Sequence, residues 1–300
     1  MVTKVGPGRF RTRKGVTVRH RVCAGGNCQW FYARPDARLR PGIHAYRGFR
    51  STAGMPQERL VVPTGRVSLL IGFGSEMRLR RTGRGEVGAA APAHTSVVSG
   101  LHTRARVLGH QGDLHGVELA LAPWAAYRLL GAALGELADT VTDPADVLGS
   151  RVRDLGTALE AAPGWPERFA LLDEALLRWT ADVAPSHEPS PVVLEAWRLL
   201  DDTAGRLPIG ELADRAGWSV RHLENRFREQ IGLTPKRLAR VLRLNRAIRL
   251  LATGGGAAGV AADCGFFDQS HLSREFTAMT GLPPGRFLAA RSGASPWLAG

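Results

Sequence analysis

"GWSVRHLENRFREQIGLTP" runs from Gly217 to Pro235, and "GFFDQSHLSREFTAMTGLPP" from Gly265 to Pro284. Each opens with Gly and an aromatic residue. Leu223 and Phe227 of the first find their counterparts in Leu272 and Phe276 of the second. Each then closes on Gly-Leu-x-Pro, at Gly232–Pro235 and Gly281–Pro284. The apolar frame is repeated while most polar residues change.

The flanking residues turn each copy into a pair of helices. Ahead of the first copy, "LPIGELADRAG" places Leu212 and Ala213 on an apolar stripe, and Gly217 stops that helix. Ser219 is a good N-cap for the next helix, whose inner face carries Leu223 and Phe227. Two short helices joined by a tight turn at Gly make a helix-turn-helix unit. In the second copy Ala261 matches Ala213 and Gly265 matches Gly217. Asp268 takes the N-cap role there, after one extra residue in the turn. Ala213, Gly217, Leu223, Phe227, Ala261, Gly265, Leu272 and Phe276 are thus the structural residues of the two units.

Between the units, Leu238, Val241, Leu242, Ile248 and Leu251 recur at helical spacing. A helix over 236–253 is about 18 residues, roughly 27 Å of rod. Outside the shared frame stand Arg221, Glu224 and Asn225 in the first unit, and Gln269, Ser270, His271 and Arg274 in the second. These side-chain types match base edges: Arg with guanine, Asn or Gln with adenine, Glu with cytosine. Two equal scaffolds with unequal reading heads predict recognition of an asymmetric duplex site. Ser219, His222, Arg228, Arg237 and Arg240 are the candidates for phosphate contact and positioning. Arg243 and Arg246 either touch phosphate or, in one case, orient the second unit through Asp268.

The arrangement resembles the AraC-type (arabinose-regulator) family of bacterial transcription regulators. The stretches that carry the resemblance are "ELADRAGWSVRHLENRF", "RLNRAIRLL", "VAADCGFFDQSHLSREF" and "TGLPPGRF", within 206–291. It implies two helix-turn-helix units on one long helix, with base contacts at Arg221, Glu224 and Asn225 and at Gln269, Ser270, His271 and Arg274. It also implies double-stranded DNA and RNA polymerase as partners, with a small-molecule effector and a homodimer as further expectations. "RPDARLRPGIHAYRGF", "VPTGRVSLLIGFG" and "HGVELALAPWAAYRLLG" resemble the sensor region of one subgroup, for which no effector pocket follows.

Charge agrees with a polyanionic partner. The 300 residues carry a formal net charge of +13, mostly from Arg. No apolar run approaches the roughly 18 residues that span a bilayer, and the basic N-terminus lacks a secretory apolar core. A cytoplasmic protein without membrane contact is the expectation. Among the three cysteines, Cys23 and Cys28 flank a Gly-rich turn and read as reduced thiols; no second ligand pair completes a metal site. No catalytic residue and no cofactor is assigned. The rival reading is an enzyme of DNA-repair type fused to a DNA-targeting module.

The fold expected is α+β. Residues 1–29 read as a basic flexible arm. Residues 30–123 hold short β-branched runs between Gly and Pro, which suggests a β-rich sensor domain built as a small antiparallel sheet or barrel. Residues 124–184 read as a helical connector, in which Phe169, Leu172, Leu176 and Trp179 form one stripe. A Pro-rich linker covers 185–191, the all-α double helix-turn-helix domain 192–292, and a tail 293–300. His102, His110 and His115 either meet in the barrel as metal ligands or lie in loops. Trp124 and Tyr127 either line an effector pocket or seal the domain junction.

Overall fold

The structure, a computed structural model, describes residues 11–13, 16–23, 26–52, 54, 56–82 and 91–292. Its strands, in chain order, are β1 (Arg11–Arg13), β2 (Val16–Cys23), β3 (Gly26–Ala33), β4 (Ile43–Thr52), β5 (Gln57–Val61) and β6 (Val67–Gly72). They continue as β7 (Met77–Arg81), β8 (Ala93–His94), β9 (Val97–Ser99), β10 (Arg106–His110), β11 (Asp113–Leu121) and β12 (Val141–Thr142). One antiparallel sheet has the order β1-β2-β3-β4-β11-β6-β9-β12, and a second the order β5-β10-β7-β8. The two are stacked and open, so of the two expected forms it is the sheet and not the barrel that is found.

Strand alternation explains the stacking. On β6, Leu69 and Ile71 face the helical side, while Leu70 turns to the other face. With Trp30, Phe49, Met77, Val97 and Leu114, Leu70 forms a small core separate from the main one. The helical side is covered by α5 (Trp165–Ala181), preceded by α1 (Pro123–Leu130), α2 (Leu134–Leu137), α3 (Pro144–Leu148) and α4 (Ser150–Ala161). Trp165 stacks on Phe31 with centroids 4.4 Å apart, and Phe169 stacks on Tyr46 at 5.8 Å. The Tyr46 hydroxyl donates to Asp173 at 2.7 Å, so the polar tip of a buried ring is satisfied. Phe169, Leu172, Leu176 and Trp179, the stripe expected from sequence, are all buried on α5.

Three features differ from the sequence reading. The stretch read as a flexible arm contains β1, β2 and the first half of β3, with β2 and β3 paired from Thr17↔Tyr32 to Cys23↔Gly26. Alternating Val16, Val18 and Val22 supply the period-2 signal, which the intervening basic residues obscured. Cys28 is disulfide-bonded, which replaces the reduced-thiol reading at that position. The helical connector is interrupted: Gly131 ends α1 in the left-handed region, and β12 adds an edge strand beside β9. Residues 1–10, the first third of the arm, and the tail 293–300 lie outside the described residues.

From residue 191 on, the described chain is helical: α6 (Pro191–Asp202), α7 (Ile209–Ala216), α8 (Val220–Ile231), α9 (Pro235–Ala252), α10 (Ala257–Asp263), α11 (Gln269–Thr280) and α12 (Pro284–Ser292). The Pro-rich segment before α6 is held at several points. Tyr127 donates to the Ser186 carbonyl at 3.3 Å, Arg128 pairs with Glu188 at 3.0 Å, and the Ser190 N–H donates to Gln230 Oε1 at 2.9 Å. Trp124 meets Trp197 edge to face at 6.3 Å, so Trp124 and Tyr127 seal the junction between the halves. Among the described residues no helix is long and apolar enough to cross a membrane.

Candidate nucleic-acid interface

Each hook is built by the same three devices. The first helix ends on a glycine in the left-handed region, Gly217 at φ 65° and Gly265 at φ 73°. The next residue's N–H then reaches back five positions, Trp218 to Ala213 at 3.1 Å and Phe266 to Ala261 at 2.9 Å. That closure satisfies carbonyls a helix end would leave bare, and only Gly enters it without strain. Capping follows: Ser219 Oγ accepts from the His222 N–H at 3.3 Å, and Asp268 Oδ1 from the His271 N–H at 2.6 Å. Finally Leu223 and Phe227 on α8, and Leu272 and Phe276 on α11, are sealed in the core with Ala213 and Ala261.

The two histidines hold a fourth shared position. His222 lies edge-on to Trp218 at 4.5 Å, and His271 edge-on to Phe266 at 5.5 Å. His271 Nδ1 also accepts the Phe267 N–H at 3.2 Å, which leaves the ring proton on Nε2. The sequence reading split this pair, giving His222 to phosphate and His271 to base reading. The geometry gives both a common part in fixing the turn.

The remaining candidates fall on the outer faces. Arg221 and Asn225 are exposed and Glu224 is half-buried on α8; Gln269, Ser270 and Arg274 are exposed on α11. They cluster in the N-terminal halves of α8 and α11, the halves that in helix-turn-helix proteins meet base edges. Arg228 is exposed further along α8.

Arg237 and Arg240 have partners inside the protein. Arg240 makes a two-pronged contact with Glu275, Nε to Oε2 at 2.7 Å and Nη2 to Oε1 at 3.0 Å. That fork ties α9 to α11. Arg237 donates to Asp139 Oδ2 at 2.5 Å and to Thr103 Oγ1 at 3.2 Å, bridging α9 to the N-terminal half. Burial pushes the Asp139 carboxyl up, but the Thr103 N–H and the Arg237 guanidinium outweigh it, and the carboxyl settles below its ordinary range. Arg243 donates to the Gly205 carbonyl at 3.2 Å and lies over the Phe266 ring at 5.7 Å. It therefore steadies the second hook through Phe266, while Asp268 is occupied in capping. Sequence reasoning did not single out Glu275 or Asp139. Glu275 stands where the first copy has Arg226, a charge reversal at matched positions that was open to view.

The three histidines of the N-terminal half do not converge. His102 is buried and donates to the Arg104 carbonyl at 2.8 Å, His110 accepts from the Gly112 N–H at 3.3 Å, and His115 meets Phe73 and Trp165 edge-on. No cluster of His, Cys, Asp and Glu able to hold a metal ion occurs among the described residues.

Comparison with known proteins places the same region. A family model described as a helix-turn-helix domain matches residues 212–290. The uncharacterized HTH-type transcriptional regulator YbfI of Bacillus subtilis (strain 168) is 34% identical over 110 residues, which are 35% of this chain and 40% of that protein. The HTH-type transcriptional activator RhaS of Escherichia coli O157:H7 (strain EC4115 / EHEC) is 36% identical over 85 residues, 28% of this chain and 30% of that protein. These alignments span less than half the length of either relative. A solved structure of a transcriptional regulator (AraC-type DNA-binding domain-containing proteins) from Chromobacterium violaceum is 30% identical and covers 35% of this chain and 95% of that one, with a TM-score of 0.32.

Proposed function

We propose that this chain, whose residues 212–290 form a helix-turn-helix domain of the AraC type, is a sequence-specific DNA-binding transcription regulator. One observation carries the reading: two hooks of equal internal construction, joined by α9, present unequal polar sets at the starts of α8 and α11. Arg221, Glu224 and Asn225 read one major-groove segment, and Gln269, Ser270 and Arg274 the next. Ser219, His222 and Arg228 lie beside the backbone, and His271 supports the second reading head. The names of the two curated relatives, a regulator and an activator of transcription, support the same reading and favour it over an enzymatic one.

The 18 residues of α9 make roughly 27 Å of rod, against about 34 Å between successive major grooves on one face of B-DNA. The duplex therefore bends toward the protein, at a cost on the order of 1–6 kcal/mol repaid by the second set of contacts. In this reading the N-terminal half receives a small-molecule effector and passes its state to α8, α9 and α11 through their shared contacts. RNA polymerase and a second copy of the chain are the protein partners, and the cytoplasm is the place of work.

Footprinting of the full chain on its own upstream DNA tests the proposal. The expected result is protection of an asymmetric site of two adjacent major-groove segments, with a Kd in the range of roughly 10⁻⁸ to 10⁻¹¹ M. Equal affinity for that site and for random duplex would refute it.

A further inference from the structure

Among the described residues, two large hydrophobic side chains are exposed: Val220, at 43%, and Phe267, at 93%. Scattered single exposures on a protein surface need no explanation. These two are not scattered. Val220 is the first residue of α8, and Phe267 immediately precedes the Asp268 cap of α11. Both apolar groups therefore stand at the reading ends of the two hooks.

Phe267 is also held in place. Its N–H is bonded to His271 Nδ1, and the His271 ring leans on the buried Phe266. The backbone that carries the exposed ring is thus fixed from both sides. Phe267 is the residue by which the second turn exceeds the first, so the extra length of that turn is spent on presenting an aromatic ring to solvent. Its neighbours on the same end are Gln269 and Ser270, with Arg274 one turn further on, all exposed and polar. An isolated ring set among such groups suits a partner with small apolar features in a polar setting. The major groove has one such feature in its base code, the C5-methyl of thymine.

We propose that Phe267 is a specificity-determining residue that packs against a thymine methyl at the edge of the second half-site, with Val220 as its smaller counterpart in the first. The inference rests on the DNA-reading function proposed above. It adds a term for hydrophobic readout to heads otherwise built from hydrogen-bonding groups.

The test uses the full-length protein and the duplex it protects, with each thymine of the second segment replaced in turn by deoxyuridine. Loss of one methyl from a buried contact is expected to weaken wild-type binding roughly three- to fivefold at one position. Phe267→Ala is expected to weaken binding to the unmodified site roughly tenfold and to abolish the response to that deoxyuridine, with an unchanged melting temperature. Phe267→Leu keeps an apolar contact and retains most of the discrimination. A Phe267→Ala protein that binds as wild type does refutes the inference, including the case in which it binds normally and fails only in transcription, which would place the ring against a protein partner. A loss in Phe267→Ala with no position sensitive to deoxyuridine refutes base reading and leaves a sugar contact. These outcomes all presuppose a specific wild-type complex; its absence overturns the function and this inference together.

Discussion

Replacing Asp139 with Asn isolates one charged bond between the two halves of the molecule. Asp139 sits at φ 58°, a left-handed conformation that Asn tolerates as well as Asp does. Its Oδ1 accepts the Thr103 N–H at 2.9 Å, and an amide oxygen keeps that bond. What is lost is the charge on Oδ2 facing Arg237, whose side chain is 44% exposed against 31% for Asp139. A pair this accessible contributes about 1 kcal/mol or less to stability, a fall in Tm of about 3 °C or less for a chain of this size. Under the proposed function the effect on DNA is larger in kind. Arg237, at the start of α9 beside the first hook, keeps only its 3.2 Å bond to Thr103 Oγ1 and becomes available to a phosphate.

One added phosphate contact steepens the dependence of log K on log salt by about 0.9. The variant's gain over wild type then shrinks roughly threefold between 50 and 200 mM salt. Binding isotherms at four salt concentrations measure it, and Arg237→Ala in the Asp139→Asn background must cancel the gain. An Asp139→Asn protein with the wild-type slope would show that Arg237 reaches no phosphate, and the reasoning fails. Mild acid is no substitute for the mutation. A carboxyl with a depressed pKa in the folded state keeps its contribution above the ordinary carboxylate range. It loses it only as pH falls through the lower folded value.

Three further outcomes are expected. Burial, with Arg106 close by, holds His102 down to about 4, against about 6.5 unfolded; the folded form thus resists protonation, and stability falls as pH drops from about 6.5 toward 4, by roughly 3 kcal/mol in all. Urea titrations at stepped pH should show that loss, and a His102→Gln chain with the same profile would remove its cause. Gly217→Ala meets no atom within 4 Å and suffers only the strain of φ 65°, about 1–2 kcal/mol. Gly205→Ala adds to φ 74° a Cβ at 2.3 Å from the Ala239 carbonyl oxygen on α9 and should cost distinctly more; equal losses in a denaturant melt would contradict the geometry. Arg274→Ala, exposed on α11, should lose about 1–3 kcal/mol on the specific site and relax one base preference; an equal loss on random duplex would make it a phosphate contact.

The hooks were legible in the sequence because their determinants are local. A glycine stop, a cap two or three residues later, and Leu and Phe four apart all fall within about a dozen residues of one another. The α9 rod was legible for the same reason. What escaped the reading depends on partners far along the chain. Asp139 and Arg237 are 98 positions apart, and neither residue carries a local mark of the other. Arg240 reads as a surface cation until Glu275 is folded against it. The β2 strand escaped for a different reason: Arg and His between its valines mimic an unpatterned basic arm. The turn insertion at Phe267 was visible as an extra residue, and Phe266, which follows the turn glycine as Trp218 does, is the buried one of the two adjacent phenylalanines.

The contacts between the halves fall at one end of α8 and one end of α11. On α8 they involve its C-terminal end, where a Cβ at Gly135 would stand 3.1 Å from the Arg228 carbonyl oxygen, and one at Gly232 3.1 Å from that of Leu134. On α11 the Ala105 N–H donates to the Met279 carbonyl at 2.7 Å, again at the C-terminal end. The N-terminal ends, with Ser219 to Arg221 and Asp268 to Ser270, stay exposed. A half that grips both helices from behind does not cover the face proposed to meet DNA. It does set the angle and spacing between two hooks joined by a helix shorter than the groove repeat. Under the proposed function, a signal in the N-terminal half therefore acts on how well both hooks engage at once. Loosening the Asp139–Arg237 bond changes that joint fit without altering either reading head, so a regulatory variant of this kind shifts affinity while leaving the base preferences of each half-site as they were.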